Sequence, residues 1–233
     1  MKRASIMTVL VAAAVAVAIA TGIAQATRHS PGDVARLQTA LPLPVNTLEA
    51  FERAPSAAER AAGNSSEVLE AVRLLTAADV GVPAAWLPGA ARANDLRVPL
   101  AKVGSADRSV FMFRTSRGRL CYGLSGFSSG CLQGLPASVP VTAMAGEPDA
   151  YDAGEGPVVF GFARNDVQAV DVIVAGKPYP AEVGANAYFF QLPDNRVKAA
   201  AFEAVVAHLS GGRSERIDVL SPPTDAGIVH GNG

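Results

Sequence analysis

The sequence predicts a mainly β chain with short N-terminal helices, an α+β fold in which an antiparallel hairpin or sheet is followed by an Ig-like β-sandwich. Three observations support this class. Helix-capping signals are concentrated in the N-terminal part, and the middle of the chain has apolar runs and turn residues around two cysteines. After Pro148, short runs rich in β-branched and aromatic residues recur between turn signals, a pattern typical of sandwiches.

The N-terminus predicts export. Lys2 and Arg3 precede an uncharged, largely apolar stretch, and Ala24-Gln25-Ala26 matches an A-x-A cleavage site. Residues 1–26 are therefore interpreted as a signal peptide, which is removed, or a signal anchor, which tethers the chain to the membrane through residues 4–26. Both outcomes place the remainder outside the cytoplasm, secreted or anchored, and no cytosolic domain is expected.

Composition limits the classes of expected partner and predicts the redox state of the cysteines. Without Lys2 and Arg3 the chain keeps a small acidic excess, and no basic stripe appears, so nucleic acid is not an expected partner. Two cysteines in an exported chain predict one disulfide, Cys121–Cys131, because their spacing is too wide for a C-x-x-C redox pair.

The N-terminal elements follow from local signals. Residues 27–46 are a Pro-rich linker, and residues 47–148 are predicted to form a small helical segment plus the disulfide-closed hairpin region. Thr47–Arg53 predicts a short helix that stops before Pro55. Ser56-Ala57-Ala58-Glu59 is a capping box for a second helix, and Asn64 or Ser65 caps a third, amphipathic one.

The middle of the chain predicts strands. Gly81–Ala101 is expected to be irregular with short strands, and its tryptophan, Trp86, is expected to be a core or groove anchor rather than a ligand platform. Val110–Phe113 and Arg119–Gly123 predict two strands joined by a turn, and Cys131-Leu132 resumes as a third after a Gly/Ser loop.

Residues 149–220 are predicted to be the Ig-like module, and residues 221–233 a disordered tail. Short strands are expected at 158–163, 167–174, 179–183 and 187–192. In Tyr188-Phe189-Phe190 one face should point to the core. Val197–Leu209 has spacing that also suits a helix, but a strand pairing with Ile217–Leu220 is favoured because Ser210-Gly211-Gly212 is turn chemistry.

One pentapeptide raises the alternative of an enzyme. Gly126-Phe127-Ser128-Ser129-Gly130 matches G-x-S-x-G, with His208 as candidate base and Asp166 or Asp171 as its orienting carboxylate. A nucleophile elbow needs a helix after the serine, and the glycine and proline that follow oppose one. The motif is therefore interpreted as a tight disulfide-closed turn, and a small serine hydrolase is kept only as the alternative.

Three arginines near the hairpin turn form a second candidate site. One interpretation of Arg114, Arg117 and Arg119 is an interaction surface for an acidic polymer or anionic headgroups. The favoured interpretation is a solvated turn whose charges protect a strand edge from aggregation. The three histidines lie far apart in the sequence, so neither a metal nor a cofactor is expected.

Three segments resemble a set of uncharacterised exported or membrane-anchored actinobacterial proteins. They are Phe51–Glu59, the pair of Gly118–Cys121 and Ser129–Cys131, and Gly161–Val172 with Asn186–Phe189. The resemblance covers about two thirds of the exported part, and this chain departs from it between Ala78 and Ser105. It implies an extracytoplasmic location, a Cys-closed hairpin and a C-terminal Ig-like module, and it transfers no activity.

Together these features predict an exported, non-catalytic protein of the cell envelope that acts in binding or structural support. Its expected partner is an envelope protein or a surface component whose identity the sequence does not specify.

Overall fold

The computed structural model describes residues 42–43, 48–87, 95–132, 135–136, 139–147, 155–193 and 196–219, which lie in one compact unit. The predicted signal segment 1–26, most of the linker 27–46 and the tail 221–233 lie outside the described residues. Among the helices that are described, none is long and apolar enough to cross a membrane.

The described chain has three α-helices and fourteen strands in sequence order. The helices are α1 (Glu49–Glu52), α2 (Ala57–Gly63) and α3 (Ser66–Val80), and short 3₁₀ helices lie at Ala84–Trp86 and Ala199–Ala201. The strands are β1 (Pro42–Leu43), β2 (Arg97–Val103), β3 (Arg108–Arg114), β4 (Leu120–Leu124), β5 (Ser128–Leu132), β6 (Leu135–Pro136), β7 (Met144–Gly146), β8 (Val158–Phe162), β9 (Val167–Val174), β10 (Lys177–Pro180), β11 (Glu182–Gly184), β12 (Ala187–Gln191), β13 (Phe202–Leu209) and β14 (Ser214–Asp218).

The strands form three four-stranded antiparallel sheets and one two-stranded ladder. Sheet I has the order β2-β3-β4-β5, sheet II the order β11-β12-β8-β7, and sheet III the order β10-β9-β13-β14. The ladder pairs β1 with β6. The prediction of a mainly β, α+β chain is therefore confirmed, and Val197–Leu209 is a strand after one 3₁₀ turn, as favoured.

The helices and the three sheets stack as four layers. Val68 and Val72 of α3 pack on Phe111 and Phe113 of sheet I. The other face of sheet I packs on sheet II, where Tyr122 meets Phe160 at 6.5 Å between ring centroids. The other face of sheet II packs on sheet III. Sheet II is thus buried on both faces, which explains why every residue of β8 is buried.

The tripeptide Tyr188-Phe189-Phe190 shows the consequence of this central position. Tyr188 packs in the core that sheets II and III share, whereas Phe189 packs in the core shared with sheet I. Successive side chains on a strand point to opposite faces, so both faces of β12 are core here. The prediction that one face is core is therefore confirmed, and the other face is core as well.

Sheets II and III face each other as a sandwich-like pair. When strands are lettered from β7 as A, sheet II reads D-E-B-A and sheet III reads C′-C-F-G, the strand order of immunoglobulin sandwiches. The Ig-like assignment rests on this order alone and stays a prediction. The sandwich starts at Met144, before the predicted boundary at 149. The strand expected at 179–183 is two strands, because the chain passes from sheet III to sheet II at Ala181.

Helix α1 is capped by side chains from distant parts of the chain. Its N-cap residue Leu48 supplies no side-chain hydrogen bond. Instead, Asn186 Oδ1 accepts from the Ala50 N–H at 2.8 Å and Asn165 Oδ1 accepts from the Glu49 N–H at 3.0 Å. These bonds satisfy two N–H groups that a helix start leaves unpaired, and they fix the start of the helical layer on the sandwich.

Candidate functional site

The disulfide joins two neighbouring strands under the helices. Cys121 and Cys131 are directly paired on β4 and β5 and are bonded to each other. Cys121 is fully buried and belongs to the apolar cluster that also contains Val68 and Val72 of α3. The predicted disulfide and hairpin are confirmed, and the bond stabilises the sheet on which α3 packs.

The Gly/Ser loop between the cysteines is a tight turn that a hydrogen bond from Arg108 fixes. Phe127 N–H donates to the Leu124 carbonyl at 3.1 Å, and Gly126 has φ +65°, which favours glycine. Arg108 Nη1 donates to the Gly126 carbonyl at 2.8 Å, and its Nη2 lies 3.2 Å from Glu155 Oε2. A buried ion pair therefore fixes the turn, and the sequence did not reveal it because Glu155 lies far along the chain.

Ser128 does not sit on a nucleophile elbow. It is the first residue of β5, exposed, and paired with Leu124 across the hairpin. The residues that follow it continue as a strand, so the strand–turn–helix geometry of a G-x-S-x-G hydrolase is absent from this segment.

The structure does not assemble the candidate triad Ser128, His208 and Asp166. Ser128 lies in sheet I and His208 in sheet III, with sheet II between them. Asp166 instead accepts two hydrogen bonds from Arg164, at 3.0 and 2.7 Å. Asp171, the alternative orienting carboxylate, does contact His208.

A different serine completes a hydrogen-bonded set with His208. Nε2 of His208 lies 2.8 Å from Asp171 Oδ2, and Nδ1 lies 2.9 Å from Ser214 Oγ. Register explains the meeting: His208 is paired directly with Ser214 across the β13–β14 hairpin, and Asp171 is on neighbouring β9. The observed pairing is centred on Gly211, whereas a two-residue turn at Gly211-Gly212 would place Glu215 opposite His208, so the sequence did not identify Ser214.

This set has part of the geometry of a catalytic triad. In the neutral imidazole with hydrogen on Nε2, His208 donates to Asp171 and accepts from the Ser214 hydroxyl, which is the nucleophile–base–orienter arrangement. It lies on the outer face of sheet III, where Val205 and Ala207 point inward and His208 stays partly exposed. An open sheet face provides little exclusion of water.

Two of the three candidate interaction arginines are engaged by carboxylates. Arg114 Nη2 lies 2.6 Å from Asp95, and Arg119 Nη1 lies 3.0 Å from Asp79 of α3. The guanidinium of Arg114 also stacks over the Phe51 ring at 5.0 Å. Arg117 is exposed at the turn. Arg114 and Arg119 therefore attach helices to sheet I. An interaction role for Arg117 stays a prediction.

Two buried tyrosines lie within the stacked sheets. Burial raises the pKa of Tyr188 well above its ordinary value, and its hydroxyl donates to the Thr142 carbonyl at 2.8 Å. Burial also raises the pKa of Tyr122, an effect that a hydrogen bond with Thr142 partly offsets. Both therefore stay protonated near neutral pH and act as packing groups.

Trp86 is exposed, contrary to the prediction of a core or groove anchor. It is 75 % exposed, and Leu74 on α3 is 49 % exposed. The backbone beside Trp86 is nevertheless fixed, because Arg73 Nη1 donates to the Ala84 carbonyl at 2.7 Å. The helical layer, which consists of the three α-helices and the 3₁₀ turn at Ala84–Trp86, therefore exposes two large apolar side chains to solvent.

A pocket of about 160 Å³ lies between α2, the start of α3 and Leu96. Its lining includes Glu59, Arg60 and Leu69. Its volume is below the roughly 300–1,000 Å³ of ordinary ligand sites. Within the described ranges, no three His, Cys, Asp or Glu side chains are close enough to hold a metal ion together.

No protein-family model, curated protein or solved structure matches this chain, so the resemblance to actinobacterial envelope proteins stays a prediction.

Proposed function

We propose that this chain is an exported, non-catalytic protein of the cell envelope that binds a component of its surroundings through the helical layer. The observation that carries the proposal is the exposure of Trp86 and Leu74 on a body whose other layers are closely packed. Tryptophan buries a large area at little entropic cost and is enriched at binding hot spots.

The disulfide supports the exported location. Cys121–Cys131 stabilises a sheet whose helix-facing core is small, and such bonds persist in oxidising compartments. The chain is therefore expected in the envelope fraction, tethered or released, with both thiols oxidised. Denaturing thiol titration of chain isolated from that fraction should find no free thiol, and two free thiols would contradict the export proposal.

The binding role is tested by placing a photo-crosslinking amino acid at position 74 in the full chain. Envelope crosslinks are expected from this position. The matched control places the same group at Lys177, which is exposed on sheet III. Equal crosslinking from both positions, or none from position 74, would contradict a binding surface on the helical layer.

A second candidate function follows from the hydrogen bonds of His208. We propose a serine hydrolase in which Ser214, and not Ser128, is the nucleophile. Ser214 Oγ attacks an acyl carbonyl as its proton passes to His208 Nδ1, and the leaving alcohol takes that proton. Water then repeats the sequence to release the acid, and Asp171 orients the imidazole.

A fluorophosphonate probe separates the two candidate functions. Labelling of the full chain that is lost in Ser214→Ala and kept in Ser128→Ala supports the hydrolase. Labelling that is lost only in Ser128→Ala overturns the assignment to Ser214. An unlabelled wild-type chain retires the hydrolase and leaves the binding role.

A further inference from the structure

The exposed apolar residues of the helical layer, called the patch below, lie on α3 and on the 3₁₀ turn that Arg73 attaches to it. Three large hydrophobic side chains are exposed among the described residues, Leu74, Trp86 and Tyr179, and the first two lie on the helical layer. Leu74 is on the side of α3 opposite Val72, which is buried against sheet I. Leu74 therefore points away from sheet I, and Trp86 is the more exposed of the two.

The size of the patch argues against a stable protein interface. An exposed Trp and a half-exposed Leu offer about 300 Å² together, whereas a stable interface buries about 800 Å² on each partner. An exposed tryptophan together with an exposed aliphatic side chain does match the boundary between headgroups and acyl chains, where amphipathic indole rings are enriched.

The N-terminal segment that precedes α1 also favours a membrane surface as the partner of the patch. The predicted anchor ends near residue 26, and α1 begins at Glu49. A linker of about 20 residues reaches at most roughly 70 Å. It therefore keeps the body near the bilayer at an effective concentration that reaches the order of 1 mM, so a weak apolar contact is enough.

We propose that the helical layer docks on the outer face of the lipid bilayer through Trp86 and Leu74. This inference rests on the proposed export and on retention of the tether at residues 4–26. The docked body directs its opposite layer, sheet III, away from the membrane. Because packed layers are about 10 Å apart, Tyr179 of sheet III lies about 30 Å from the docked surface.

The single tryptophan makes the test direct. The full chain is reconstituted into phosphatidylcholine vesicles with and without brominated acyl chains, and its fluorescence is compared with that of the chain in detergent. Docking is expected to shift Trp86 emission to the blue and to quench it at least about twofold with the brominated lipid, because the indole then lies at the acyl boundary.

Two variants control for position and charge. Trp86→Phe combined with Tyr179→Trp moves the reporter to sheet III, where little quenching is expected. Leu74→Asp places a charge in the patch and should reduce the quenching of Trp86. Gln168→Asp makes a similar change on an exposed position of sheet III and should leave the quenching unchanged.

The outcomes separate docking from the tether. Vesicle flotation with unquenched Trp86, or with equal quenching at positions 86 and 179, overturns the docking and leaves the envelope location intact. Failure to float overturns the tether and the docking together. A blue shift in detergent that grows with protein concentration, with a doubled mass, assigns the patch to a second copy of the chain and overturns the proposal.

Discussion

The interface between α3 and sheet I has a small apolar core, whereas the interface between sheets II and III has a large one. Six buried residues form the first cluster and fifteen form the second. The small interface is reinforced by other bonds: the disulfide lies in it, and Arg119 of the hairpin reaches Asp79 of the helix. The sandwich contains no disulfide within the described residues.

This difference shows how the size of an interface determines what must stabilise it. Apolar burial contributes in proportion to area, so the sandwich gains enough from its many aliphatic and aromatic contacts. The interface between α3 and sheet I has fewer buried apolar residues, and covalent and ionic bonds support it. The comparison predicts that apolar truncation is most costly in the sandwich, whereas loss of covalent or charged groups is most costly in the helical layer.

The largest expected effect is in the sandwich core. Phe202 is 2 % exposed and packs edge-to-face with Phe190 at 6.3 Å. Phe202→Ala should lower the free energy of unfolding by about 3–5 kcal/mol because it removes a buried ring and leaves a cavity. Chemical denaturation measures this loss. Tyr179→Ala is the control, since Tyr179 is 37 % exposed, and an equal loss in both variants would show that burial does not set the cost.

Removal of the disulfide is expected to have the next largest effect. Replacing Cys121 and Cys131 by alanine should cost about 2.5–3 kcal/mol, because the bond closes a short loop in the unfolded chain. Hydrogen exchange should accelerate in α3 and β5 more than in β9 and β13. Reductant should destabilise the wild type and have no effect on the double variant. A wild type that is insensitive to reductant under denaturing titration would contradict the role of the disulfide.

The ion pair between helix and hairpin provides a third test. The Asp79 side chain is fully buried, and its Oδ2 lacks a partner, whereas Arg119 is 27 % exposed. Asp79→Asn should cost about 2–3 kcal/mol, less than the loss of a fully buried pair because Arg119 is partly hydrated. Asp95→Asn breaks a pair with Arg114 that is about one third exposed, and it should cost less than about 1 kcal/mol. Equal costs would show that burial of the carboxylate does not matter.

The smallest effect is expected at the capping box of α2, and it depends on pH. Burial alone would raise the pKa of Glu59, but hydrogen bonds from Arg53 and Ser56 and the charge of Arg53 together lower it below 4.5. The carboxylate therefore stabilises the fold above pH 4.5, and this contribution is lost as the pH falls through the depressed folded-state pKa.

Glu59→Gln should consequently cost about 1 kcal/mol at pH 7 and progressively less below pH 4.5. Denaturation at a series of pH values measures the difference. Glu67→Gln on exposed α3 is the control and should show little dependence on pH over the same range. A Glu59→Gln cost that is constant from pH 7 to pH 3 would contradict ionic stabilisation at this cap.

Local signals in the sequence determined much of the fold. Ser56 and Glu59 make both hydrogen bonds of the capping box, Ser65 caps α3, and the turn residues separate strands close to where they were expected. The disulfide followed from there being two cysteines. These features depend on a few neighbouring residues, or on a choice with one answer, so the sequence was enough to predict them.

Tertiary structure alone decided the stacking of the layers and the surroundings of each candidate residue. Sheet II is central because both of its faces are apolar, so Tyr188 and Phe189 lie in different cores. Ser214, and not Ser128, is the partner of His208. The engagement of Arg119 and the exposure of Trp86 depend on elements that meet only when the sheets pack. Capping and turns are satisfied within a few residues, whereas burial and pairing are satisfied across the whole chain.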